Sequence, residues 1–409
     1  MPLNKLHTFN SPKNPNFRIY FLSMVGQWAA MAMQNVVLGL LVYRLTGSTA
    51  ILGTISLASA IPQIIVAPFT GVLIDRFSKK RLMQIGQAVF AATSLIIAIS
   101  LKNGILNSAH PGSWWILIGI SSVQGMTGAL LWSARLAMVP ELVSRDNVAN
   151  ATSLTTIGLN IFQLIAPACG GYLIDKVNFE AVFFTISGLY LISSFITHFM
   201  PSREGISHGS GNVLADMVEG LRYVRNNITL LWILVYTLIS SMVIFPLGAM
   251  ISVFSDSILK VGATGLGLLQ GFSAAGALIT VLVIASLAIK RRSLIMLGTG
   301  LILGLAQAAF AFSTSYPLSL IIMIFVGIGT TGQVTMATIL IQTNSDPSQL
   351  GRVFSLFLLV LGISGLTTFC SGFIAEAIGI QWTIGGSSLL LAAATVLILF
   401  LVPKLRKLE

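Results

Sequence analysis

The chain has 409 residues, of which 55% are hydrophobic and only 9% charged, against roughly 25% charged in soluble domains, so a water-soluble protein is excluded. Its 23 Lys and Arg against 12 Asp and Glu give a formal net charge of +11. In a soluble chain that excess would suggest nucleic acid; here the cations sort to one side of a membrane, and no nucleic-acid partner is expected.

A helix that crosses a bilayer needs about 20 mostly apolar residues, because lipid offers the backbone no hydrogen-bond partners. Such stretches follow one another at 17–43, 50–74, 81–101, 113–138, 148–174, 179–200, 228–254, 263–289, 293–313, 317–343, 350–375 and 380–402. The polar segment before Phe17, carrying Lys5 and Lys13, has no small-residue cleavage site and reads as a retained cytoplasmic tail. The even number of spans returns the C-terminus to the same side. With that side inside, nineteen cations fall in cytoplasmic segments or span ends, and only Arg44, Lys102, Lys176 and Lys260 lie outside. This positive-inside bias sets the orientation.

The loops are short except for 201–227. There Val213, Leu214, Met217, Val218, Leu221 and Val224 recur at helical spacing opposite Asp216, Glu219, Arg222 and Arg225, which predicts an amphipathic helix along the cytoplasmic membrane surface. The chain thus divides into a six-span half at 1–200, a linker at 201–227 and a second six-span half at 228–409. A weak internal repeat agrees: Cys169, Gly171 and Asp175 recur 201 residues later as Cys370, Gly372 and Glu376. The expected fold is an all-α membrane protein of twelve transmembrane helices in two six-helix bundles, with both termini cytoplasmic. Duplicated halves suit a carrier whose bundles rock about a central site.

Between spans 2 and 3 stands Gly71-Val-Leu73-Ile-Asp75-Arg76-Phe-Ser78-Lys79-Lys80-Arg81. The pattern G-x-L-x-D-R-x-x-K/R-K/R resembles the loop signature of the major facilitator superfamily, and the six-plus-six plan matches that family over the whole chain. The resemblance implies a conformational latch on the cytoplasmic side, built from Gly71, Asp75, Arg76, Lys79, Lys80 and Arg81. The same cations also serve topology by retaining the loop inside. Ser78 stands where the family usually has Gly.

In span 5, Ala166-Pro167-Ala168-Cys169-Gly170-Gly171 is similar to the end of the motif of export-type members. Pro167 removes a helix hydrogen bond, and Gly170 and Gly171 permit close packing, so a bend or sliding contact is expected there. Leu45 to Ser48, Ala134 to Val143, Glu219 to Arg225 and Gly351 to Leu356 resemble the enterobactin exporter and macrolide efflux branch. That likeness implies efflux of amphipathic small molecules, siderophores or drugs, across a bacterial inner membrane.

All twelve acids fall in loops or near helix ends, although an ionisable group deep in a span is the usual mark of an ion path. Ser121 stands where the family's span 4 pattern has its coupling-associated Arg. Proton coupling is therefore implied by resemblance without a buried acid to carry it. In this superfamily spans 1, 4, 7 and 10 line the cavity, which selects Gln27, Trp28, Met31, Asn35, Gln124, Tyr236, Thr331 and Gln333; span 5 adds Asn160 and Gln163. Neutral amides and hydroxyls beside Met, Trp and Tyr suit a large, partly apolar ligand. Each of these residues is equally explained by helix packing; collectively Gln27, Gln124 and Gln333 lead. Arg135 reads as a substrate contact at the inner mouth or, preferentially, as an anchor at lipid phosphates near the end of span 4.

Two cysteines and the histidines at 7, 110, 198 and 208 supply no disulfide framework or metal-ligand spacing. No catalytic group, metal or cofactor is expected, and the chain does not read as an enzyme. The partners expected are the substrate, membrane lipid and a proton if coupling holds, with the monomer sufficient for function. A lysophospholipid or nutrient carrier of the same fold remains the alternative; a scaffold or sensor would need a larger soluble segment.

Overall fold

The computed structural model describes residues 14–108, 112–144, 147–201, 213–286, 291–346 and 349–401. It contains α1 (Pro15–Thr46), α2 (Thr49–Arg76), α3 (Lys79–Lys102), α4 (Trp115–Leu142), α5 (Val148–Lys176), α6 (Phe179–His198), α7 (Val213–Asn226), α8 (Ile228–Val253), α9 (Gly262–Ser286), α10 (Arg292–Phe312), α11 (Tyr316–Asn344), α12 (Leu350–Gly362), α13 (Ser364–Ile378) and α14 (Ile380–Leu401). Twelve spans are long and apolar enough to cross a membrane, at the predicted places.

Short polar residues punctuate these helices. Asn14 caps α1 by accepting the Asn16 N–H at 2.9 Å, with Pro15 in the first turn. Gly47, at φ +66°, ends α1 in the left-handed region that its missing Cβ permits, and Ser48 at once caps α2. Ser78 does the same for α3 from φ −63°; no glycine is needed at that turn.

Three details depart from the sequence reading. Span 11 is two helices that break at Ile363, between Gly362 and Ser364. Helix α4 continues through Pro140 to Leu142, four residues past the predicted end. The seventh span is extended by a wider helical turn, Phe254–Ile258, which carries Asp256.

Helices α1 to α6 form one bundle and α8 to α14 the other, and two long crossings join them: α5 on α9, and α2 on α13. Glycines make these crossings possible. A Cβ on Gly171 would sit 2.0 Å from the Ala263 carbonyl oxygen, and one on Gly267 2.4 Å from that of Pro167. On the other crossing a Cβ on Gly372 would meet the Thr49 carbonyl at 2.6 Å, and one on Gly53 the Phe369 backbone at 3.0 Å. Backbones this close gain dispersion contact that no larger residue allows. Large apolar side chains such as Leu22, Ile65, Ile165 and Phe400 are exposed on the outer flanks, where lipid takes the place of water.

Helix α7 docks on the second bundle. Glu219 pairs with Arg352 at 2.7 Å and the Tyr223 hydroxyl donates to Asp346 at 3.0 Å. Val224 is buried beneath this contact.

Candidate functional site

Among the described residues, every hydrogen bond and ion pair between the two bundles lies on the face opposite the chain termini. From α1, Arg44 donates to Asp256 through Nε at 3.1 Å and Nη2 at 2.9 Å, and the Tyr43 and Ser257 hydroxyls are 2.6 Å apart. From α5, Asp175 accepts the backbone N–H groups of Ala263 at 3.2 Å and Thr264 at 2.8 Å, and the Thr264 hydroxyl at 2.6 Å. Thus one bundle supplies the N-terminal cap of a helix in the other. From α13, Glu376 accepts the Ser48 hydroxyl and, at 3.3 Å, the Ala50 N–H, capping α2 in return; the Thr49 hydroxyl donates to the Gly372 carbonyl at 2.9 Å.

The two acidic caps occupy matching places in the internal repeat. A carboxylate at a helix start meets orphan N–H groups and the positive end of the dipole, worth about 0.5–2 kcal/mol per cap. The Arg44–Asp256 pair has side chains 33% and 30% exposed, which holds it to about 1 kcal/mol or less. The caps are therefore the stronger ties.

On the termini face the described bonds stay on one side of the divide. Lys79 pairs with Glu141, joining α3 to α4, and the Asn14 amide donates to the Leu142 carbonyl at 2.7 Å. The described ties between the bundles are thus gathered at one face, while on the other the side chains of Gly71, Asp75 and Arg76 lie outside the described residues.

The walls of the cleft between the bundles are neutral. Thr152, Thr156, Asn160 and Gln163 follow one another at helical spacing along α5, while Ile157, Ile161 and Ile165 hold the outer flank. On α8, Met242 and Phe245 are exposed on the face that meets Gly39 of α1 through Ala249 and Ser252. Asn35 is exposed on α1 and Trp132 on α4. A separate apolar groove of about 680 Å³, lined by Met33, Ile165, Cys169 and Tyr172 among others, lies along the outer flank of α5.

The predicted cavity residues part company. Asn35 and Gln163 are exposed; Met31, Asn160 and Thr331 are half-buried. Gln27, Trp28, Gln124, Tyr236 and Gln333 are buried. Gln27 accepts from Gln87 at 2.8 Å, in a network that includes Ser23 and Thr197 and ties α1, α3 and α6. Gln124 accepts from Gln34 at 2.8 Å and donates to Thr93 at 2.9 Å. Trp28 stacks edge-on against Phe21, over Gly158. The Tyr236 hydroxyl meets that of Thr395 at 2.9 Å inside the second bundle. Gln333 differs, with both amide atoms buried and unpaired.

Gln124 and Gln333 should respond oppositely to the same change. Gln124→Leu breaks two bonds and strands the Gln34 amide, while Thr93 keeps its bonds to Val89 and Phe90; the cost is about 1–3 kcal/mol, so a lower melting temperature is expected in detergent. Gln333→Leu removes an unpaired buried amide and should raise it. Thermal unfolding of both purified variants checks the pair.

Of the predicted latch, the side chains of Gly71, Asp75 and Arg76 lie outside the described residues. Lys79 is held by Glu141 of its own bundle, Lys80 is half-buried and Arg81 exposed. In the span 5 motif Pro167 sits within the continuous helix α5. Gly170 faces Val37 and Met33 of α1, while Gly171 faces α9. The anchoring role expected of Arg135 is corrected: it is 5% exposed, because α4 runs on to Leu142 and leaves it seven residues, about 10 Å, inside the helix end.

Sequence reasoning missed Thr152, Thr156 and Trp132, and it left the Arg44–Asp256 pair unremarked. The α5 stripe was visible as a four-residue polar period within an apolar span.

Two helical bundles tied at one face by reciprocal caps are the architecture of membrane carriers built from duplicated halves. The Major Facilitator Superfamily model matches residues 20–367, and the chain belongs to that family. The multidrug efflux pump Tap of Mycolicibacterium fortuitum is 23% identical over 415 residues, covering 98% of each chain. Macrolide efflux protein A of Streptococcus pyogenes is 20% identical over 399 residues, covering 94% of this chain and 96% of its own. In fold, a crystal structure of the nucleoside transporter NupG aligns with a TM-score of 0.72 at 12% identity, over 97% of this chain and 100% of that one. The protein is a multi-pass membrane transporter for small molecules, with efflux proteins among its relatives, and not an enzyme.

Proposed function

We propose that the protein is an alternating-access exporter of amphipathic small molecules, siderophores or macrolide-like drugs, working as a monomer in a bacterial inner membrane. Both termini are cytoplasmic in this reading, on the strength of the positive-inside bias. The face that carries the described ties is then the outer one, an arrangement that suits a state loading substrate from inside. The observation that carries the proposal is the one-sided closure: all described ties between bundles lie on the outer face, above walls of Asn35, Asn160, Gln163, Met242 and Phe245. The halves at 1–200 and 228–409 are the moving bodies, and the latch around Asp75 closes the inner face in the alternate state.

The family's proton coupling has no interior acid to use among the described residues; the buried charged side chain there is Arg135. An anionic substrate leaving a negative-inside cell gains about 2.3 kcal/mol per charge per 100 mV from the membrane potential alone. The test is uptake into everted vesicles of a panel of siderophores, macrolides and fluorescent amphiphiles, with pH and potential gradients imposed separately. Gradient-dependent accumulation of a panel member is expected, reduced at least fivefold by Asn160→Ala with Gln163→Ala at equal abundance. Accumulation of none of them, with movement of lysophospholipid instead, would turn the reading to lipid transport.

A further inference from the structure

Arg135 presents a problem of charge that the transport cycle as described leaves unused. It is only 5% exposed, and its guanidinium forms no hydrogen bond or ion pair among the described residues, with Nε buried and unpaired. The described acids nearest the helix ends are engaged elsewhere: Glu141 by Lys79, Asp256 by Arg44, and Asp175 and Glu376 by helix caps. A buried cation without a counterion is strongly disfavoured, and a neighbouring aromatic ring repays only part of that cost.

The ring is Trp132, one turn earlier on α4, with the Arg135 guanidinium carbon 4.1 Å from its centroid. The flanking positions are committed to neighbours: Leu131 packs toward Gly86 of α3, Ser133 meets Thr70 of α2 at 3.3 Å, and the Tyr20 hydroxyl of α1 donates to the Arg135 carbonyl at 3.5 Å. Trp132 and Leu136, on the face between α1 and α2, are 48% and 56% exposed. The indole thus lies between the guanidinium and the open surface of α4.

The geometry points to Arg135, under the movable cover of Trp132, as the receptor for an anionic group, a carboxylate or phosphate, on an amphipathic molecule in the cleft. A guanidinium offers five N–H donors in a planar fork that matches such groups two at a time. Trp132 and Leu136 then supply apolar surface for the body of the same molecule. The inference names the charge of the cargo and rests on the transport reading, while binding tests it without any need for export.

The experiment titrates the full-length protein in phosphatidylcholine nanodiscs with decanoate, decyl phosphate and decanol, following tryptophan fluorescence. Trp132→Phe identifies the part of the signal that belongs to the cover. Saturable responses to the two anions and none to decanol are expected, weakened at least tenfold by Arg135→Gln. Arg135→Lys should weaken them less, since it keeps the charge and loses the fork, and it carries the test if the Gln variant does not fold. Adding phosphatidylglycerol separates two sources of the anion: competition with decanoate assigns the site to a lipid headgroup, and its absence to a soluble amphipathic acid. Equal responses to decanol and decanoate, or a decanoate response indifferent to both substitutions, would overturn the proposal. An Arg135-dependent response without vesicle export leaves this site standing and removes export; export without that response does the reverse.

Discussion

Replacing Gly171 by valine is expected to reduce transport to less than a tenth of wild type at equal membrane abundance. The new Cβ would lie 2.0 Å from the Ala263 carbonyl oxygen and 2.5 Å from its carbon. Both are backbone atoms of the opposing bundle, and no side-chain rotation relieves the clash. Overpacking of this kind costs about 1–3 kcal/mol even where side chains can adjust. Here the relief must come from parting α5 and α9. One turn further on, Asp175 would lose its register with Ala263 and Thr264, so the outer closure suffers along with the crossing. Gly170→Ala supplies the control, since its Cβ would meet Val37 Cγ2 at 3.4 Å and Met33 Cγ and Cβ at 3.5 and 3.6 Å, all ordinary contacts with side chains of its own bundle. Vesicle uptake within twofold of wild type is expected there. A fully active Gly171→Val protein would show that the α5–α9 crossing is not held at this spacing during transport.

The paired substitution Asp175→Asn with Glu376→Gln should open the outer face without unfolding the protein. Each change keeps the shape of the side chain and removes the charge that faces a helix start. A loss of about 1 kcal/mol per cap makes roughly 2 kcal/mol for the pair, which corresponds to about a thirtyfold change in the balance of the two states. Spin labels at Asn103→Cys and Thr314→Cys, on outer loops of opposite bundles in a protein with Cys169 and Cys370 replaced by serine, should report longer distances. Each single change should shift the distribution by less than the pair. An unchanged distribution in the double variant would assign closure to the glycine crossings alone.

The expected architecture was legible because it rests on coarse quantities. Span length, loop brevity and charge asymmetry all follow from the bilayer, and the twelve spans fell where those constraints put them. The break in span 11 was not legible: Gly362-Ile363-Ser364 contains no proline, and an apolar run looks the same whether its helix is continuous or not. The end of span 4 differed in the opposite direction, at Pro140. The apolar stretch gave span 4 an end at residue 138, whereas the helix tolerates this proline and runs on to Leu142, which moved Arg135 from the membrane edge to the interior.

At the site the polar residues were found but their roles were not. Gln27 and Gln124 bond to neighbouring helices, and Asn35 and Gln163 face open space, yet all are amides in apolar spans. Only the positions of Gln87, Gln34 and Thr93 on adjacent helices separate the two cases. Of the crossing glycines, Gly171 and Gly372 were marked by the internal repeat. Gly53 and Gly267 could be recognised only once the backbone they approach was known.

The crossings also impose an order on how the protein is made. During synthesis α5 enters the membrane about a hundred residues before α9, an interval of roughly 5–20 s at ordinary elongation rates. Throughout it the groove at Gly171 has only lipid to fill it, and Asp175 has no helix start to cap. The first bundle must therefore wait, folded but unmated, in a form whose most closely packed surface is still bare. Quality-control proteases of the membrane would meet that surface before any substrate does, so substitutions along it govern how much protein survives to maturity as well as how well the mature protein moves.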